Sequence, residues 1–123
     1  MPQTVMKKMN KENITEKVER EYPTITLEYK DITAEQYKVF IEKHHDYGDK
    51  NITLGLNIED EEDRNIMLCG LVIRMNDKVQ RLLNLLFKRK GEACNESIED
   101  ALLDLSNYGI IGQIVNNKKW HKR

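Results

Sequence analysis

Apolar residues along this chain recur every three or four positions in three long segments, the spacing of helices that bury one face. The first segment opens on Thr33-Ala-Glu-Gln36, a capping box. It carries Tyr37, Phe40, Ile41 and His44 on one side and ends near Tyr47-Gly48, where glycine can take a left-handed conformation. The second runs from about Asp60 to Lys88 with Ile66, Leu71, Val72, Met75, Val79, Leu82, Leu83 and Leu86 on a broad apolar face, and Gly91 as its stop. Gly70, in its middle, is expected where another backbone packs closely. The third, capped by Asn95 or by Ser97 with Asp100, has Ile98, Ala101, Leu102, Leu105, Tyr108, Ile111, Ile114 and Val115, and fades at Asn116-Asn117.

A shorter helix starts at Asn13-Ile-Thr-Glu16 and stops before Pro23, which disfavours helix at Tyr22. Ile25 to Tyr29 alternates apolar with polar residues and reads as an extended connector, since a single strand has no partner. The expected fold is all-α: an antiparallel bundle of about four helices with a long central helix. It divides into an N-terminal arm and short helix (1–30), a helical domain (31–117) and a basic tail (118–123) in solvent. The tail includes Trp120 and His121.

A chain of 123 residues holds one core, and 39% apolar against 33% charged residues describes a soluble domain. A formal net charge of −1 argues against general nucleic-acid binding, which needs a basic excess. No apolar run is long enough to cross a bilayer, and the N-terminus lacks the apolar centre of a signal peptide. The expected location is therefore the cytoplasm, the host's if a phage encodes the chain, with no membrane partner. Cys69 and Cys94 should be free thiols there, with no zinc-ligand spacing around them. The long and last helices carry more apolar surface than a small monomer easily covers, so a homo-oligomer is expected.

Polar residues supply the candidate chemistry. Arg74, Lys78 and Arg81 fall at i, i+4 and i+7 on the long helix, with Asp77 beside them. Asp100, Asp104 and Asn107 fall at the same spacing on the last helix, with Glu96 one turn before. Carboxylates in such a row suit magnesium, which keeps several waters and bridges to phosphates; Glu96, Asp100 and Asp104 are the candidate ligands. The basic row suits phosphate directly, arginine as a fork and lysine as a point charge. Lys50, Arg74, Lys78, Arg81, Asn107 and Tyr47 are the candidate phosphate or ligand contacts. Tyr47 and Lys50, with Asp46, would close over the ligand at a helix end. His44 and His45 diverge on a helix, which disfavours a shared metal. The acids at Glu59 to Asp63 match the positive end of a helix dipole. The same rows can also be read as interhelical ion pairs alone.

These residues carry a resemblance. His45-Asp46-Tyr47-Gly48-Asp49, Asp77-Lys78-Val-Gln-Arg81-Leu and Glu96-Ser-Ile-Glu-Asp100-Ala-Leu-Leu-Asp104-Leu-Ser-Asn107-Tyr108 resemble the nucleotide modification associated domain family, type 1 group. That family occurs largely in phages and bacteria. The likeness spans about Glu35 to Val115. It implies a helical domain linked to modified-nucleotide metabolism. More distantly, the arrangement is similar to the MazG-like all-α nucleotide pyrophosphohydrolases. Among these the last helix resembles the second acidic motif, while Asp77-Lys-x-x-Arg81 stands where Glu-Glu-x-x-Glu would be. Three readings follow. One is a Mg2+-dependent pyrophosphohydrolase that binds a nucleotide through its phosphates. Another is a non-catalytic module sequestering a cyclic or modified nucleotide, such as an immune signal. The last is a structural or interaction domain.

Overall fold

The computed structural model describes residues 13–88 and 97–123, in which all regular structure is helical. Helix α1 covers residues 13–21, α2 Pro23–Tyr47, α3 Lys50–Thr53, α4 Glu61–Leu83 and α5 Ile98–Asn116; α4 continues into a π-helical turn, Asn84–Lys88. The described residues thus hold five α-helices and no strand, and α2, with 25 residues, exceeds the 23 of α4. None of these helices is long and apolar enough to cross a membrane. Gly91, Cys94, Asn95 and Glu96 lie outside the described residues. The chain divides into two compact units, Met1–Val39 and Phe40–Arg123.

In the first unit, the stretch expected to be an extended connector is helical. Pro23 sits at the first position of α2, where its missing N–H removes no helical bond and its fixed φ suits the turn. Thr26 then bonds back to the Tyr22 carbonyl through both its N–H (3.1 Å) and its hydroxyl (3.0 Å). Thr33 does not cap a new helix, because its hydroxyl bonds to the Lys30 carbonyl at 2.9 Å inside α2. Ile25, Leu27 and Tyr29 are 67%, 61% and 71% exposed, so their alternation marks no buried strand face. Lys30 reaches Glu19 of α1 at 3.5 Å.

The second unit is built on α4 and α5. Asp60 caps α4 by accepting from the Asp63 N–H at 3.0 Å, and Asp63 accepts from the Asn57 N–H at 2.8 Å. The acids before α4 therefore serve the helix start, as their position implies. Ser97 caps α5 in a capping box with Asp100. The two helices run antiparallel: Asp104 meets Lys78, while Ile111 and Val115 cluster with Leu71 and Met67. Gly112 is the glycine against this interface, where a Cβ would lie 3.9 Å from both Leu68 and Leu71; Gly70 has open space instead. The broad apolar face of α4 splits. Leu71 and Leu82 are buried, but Ile66, Val72, Leu83 and Leu86 are exposed.

The core gathers Ile52, Met67, Leu71, Ile111, Val115 and Trp120, with Phe40, Leu56 and Tyr108 packed against it. Trp120 corrects the expectation of a solvated tail, being only 6% exposed. The cause is local. After α5 the chain turns at Lys118, which has a left-handed φ of 60°. The Lys119 N–H bonds to the Ile114 carbonyl at 3.0 Å and the Lys118 N–H to that of Val115 at 2.9 Å. That pair of bonds is a Schellman closure, and it folds the next residues back onto the domain.

Candidate ligand cleft

A cleft of about 400 Å³ opens in the second unit, in the size range of small-molecule sites. Its residues come from α2, α3, α4, α5 and the segment after α5. The last two turns of α2 present Phe40, Lys43, His44 and Tyr47, at i, i+3, i+4 and i+7 and hence on one helical face. Gly48, with φ 71°, stops α2 and lets α3 bring in Asn51 and Ile52. Arg74 comes from α4, and Asp104, Asn107, Tyr108 and Ile111 come from α5; Trp120 closes the wall.

Part of that wall is aromatic. Phe40 and His44 stack with ring centroids 5.6 Å apart. Trp120 stands edge-on to both, at 6.0 Å from Phe40 and 5.2 Å from His44. Its indole N–H donates to the Asp49 carbonyl at 3.1 Å, which ties the end of the chain to the α2–α3 turn. Such edge-on contacts suit the ring quadrupoles.

Another part is charged. Asp104 holds one lysine on each carboxylate oxygen, Lys43 at 2.9 Å on Oδ1 and Lys78 at 3.1 Å on Oδ2. Burial alone would push the Asp104 carboxyl up. The hydrogen bonds and charges of the two lysines outweigh burial and hold it below the usual aspartate value. Lys43 remains half exposed at the cleft, whereas Lys78 and Asp104 are each 18% exposed. Arg74 donates from Nη2 to the Asn51 carbonyl at 2.8 Å. The Asn51 side-chain oxygen is buried and has no hydrogen-bond partner among the described residues.

The structure brings Tyr47, Arg74, Asp104 and Asn107 into one cleft, with Lys78 on Asp104. Lys50 and Arg81 are not among its lining residues, and Lys50 is exposed at the start of α3. Asp100 points elsewhere: its Oδ2 accepts from the Ser97 N–H at 3.4 Å, and its own N–H donates to Ser97 Oγ at 3.1 Å. The two described acids of the expected magnesium set do not fit the ion, because one is committed to lysines and the other to the helix cap. Among the described residues no three His, Cys, Asp or Glu side chains could hold a metal. His45 is exposed beside Asp46 and is not among the cleft's lining residues.

The spacing of the charged rows did not mark Lys43, Asn51 or Trp120 as cleft residues. Lys43 had a readable signal, its place three residues after Phe40 on the face that carries His44 and Tyr47. Comparison of the chain with family models, with curated proteins and with solved structures returned no match in any of the three.

Proposed function

We propose that this cleft binds a nucleotide or nucleotide-derived ligand, the phosphates on its cations and the base on its aromatic wall. One observation carries the reading: Lys43 and Arg74 line the same cavity as Phe40, His44, Tyr47 and Trp120. A nucleotide joins a flat ring to a polyanion. Arginine and lysine recognise the anion, and aromatic faces stack on any base. The resemblance to the nucleotide modification associated domain family points the same way.

Within this reading, direct phosphate binding is preferred to metal-assisted hydrolysis. Asp104 serves to position two ammonium groups rather than to hold a cation of its own. The reading is thus of a module that holds its ligand intact, in keeping with sequestration of a nucleotide. Exposed Val72, Ile73 and Phe87 support association between copies of the chain.

Equilibrium dialysis of the protein against pooled nucleoside mono-, di- and triphosphates and cyclic nucleotides tests the proposal, with magnesium and with chelator. Retention of an unchanged nucleotide under both conditions is the expected result. Conversion that requires magnesium would favour the pyrophosphohydrolase. Retention of nothing would leave Lys43–Asp104–Lys78 as ion pairs between helices.

A further inference from the structure

Asn51 has one buried polar atom with no hydrogen-bond partner among the described residues. Its main-chain carbonyl already accepts from Arg74 at 2.8 Å, which fixes the residue in place. Asn51 lines the cleft, and its Oδ1 is buried with no donor among the described residues. Buried amide oxygens nearly always have a donor, and leaving one without is destabilising. Asn51 also sits between two different neighbourhoods. Asp49, two residues before it, anchors the Trp120 indole, and Arg74 is bonded to it directly. Asn51 is thus close in the chain to the anchor of the aromatic wall and bonded to one of the cleft cations.

Resting on the nucleotide reading above, we propose that Asn51 is a specificity residue, whose amide oxygen accepts from the exocyclic amino group of the bound base. The χ2 torsion of asparagine is broad, so the amide can turn Oδ1 into the cleft at small cost. Amide side chains pair with an amino-bearing base edge in this way elsewhere in recognition. A site built around an acceptor rejects the analogue that lacks the donor, because the acceptor then stays buried and unpaired. Isosteric replacement by leucine removes the acceptor without emptying the space.

Two titrations decide the matter, each with ATP, purine riboside triphosphate (no 6-amino group) and 2′-deoxy-ATP, on the wild type and on Asn51→Leu. Melting temperature serves as the fold control. Wild type should bind ATP more tightly than purine riboside triphosphate by roughly ten-fold or more, the worth of an acceptor left unpaired. Asn51→Leu should erase that ratio while melting no lower than wild type, since it deletes an unsatisfied group. Equal wild-type affinity for the two purines overturns the inference and leaves nucleotide binding intact. A ratio that survives Asn51→Leu, or a loss confined to the 2′-deoxy ligand, overturns it as well. Binding of none of the three overturns the nucleotide reading for this base together with the inference.

Discussion

At the starts of α4 and α5, carboxylates turn to the backbone. Asp60, Asp63 and Asp100 all accept main-chain N–H groups of their own neighbourhood. One turn beyond Asp100, Asp104 turns across the domain instead, to Lys43 of α2 and Lys78 of α4. The two kinds of acid are four residues apart and of one type. What separates them is the presence of unpaired N–H groups in the first turn of a helix and their absence in the second. A carboxylate near a helix start has a local use. One deeper in the helix must find a partner on another element, so it is the deeper one that shapes a site.

Substitutions can break this contrast or sharpen it. The largest effect should come from the wall that Asp104 shares. Trp120→Ala removes a buried indole from the core and should lower stability by about 3–5 kcal/mol in a urea titration, well beyond what a solvated tail would lose. Asp104→Asn should cost about 1–3 kcal/mol, because it leaves two lysines beside a neutral amide. The pH dependence of stability should identify the same group. The folded pKa of Asp104 lies below its unfolded value, near 3.9. Its contribution is therefore present above that unfolded value and is lost as pH falls through the folded one. An acid titration of the melting temperature should show a loss below about pH 4 that Asp104→Asn reduces.

The helix-start acids should behave differently. Ser97→Ala should destabilise by about 1 kcal/mol through the lost cap and leave ligand affinity unchanged. If it changed nucleotide binding, the distinction between the two regions would collapse. The smallest effect is a gain. Lys118 occupies a left-handed conformation that glycine adopts without strain, so Lys118→Gly should raise stability by roughly 0.5–1 kcal/mol. A loss instead would mean that the Schellman turn does not position Trp120 as described.

Much of the fold was legible in periodicity. The α4 and α5 helices, the Asp60 and Ser97 starts and the Gly48 stop all follow from residue spacing and capping chemistry. The run from Pro23 to Thr33 was not, because a proline can open a helix as readily as close one and a threonine hydroxyl can bond backward as well as cap. Of the candidate site, the Arg74, Lys78, Asp104 and Asn107 rows were readable because a single helix pair presents them. Asn51 and Trp120 were not, since each reaches the cleft through a turn whose direction depends on a left-handed residue, Gly48 or Lys118. Residue spacing placed Asp100 both in the Ser97 cap and in the row with Asp104, and a helical row by itself does not choose between those two uses.

The most direct test of the central claim is calorimetric titration of the protein with ATP in chelator and again in magnesium, repeated on Arg74→Ala, Lys43→Ala and Asp100→Asn. Cleft cations that take phosphate directly predict binding without magnesium, weakened roughly ten-fold by either cation substitution and unchanged by Asp100→Asn. Binding that appears only with magnesium and disappears in Asp100→Asn would contradict it.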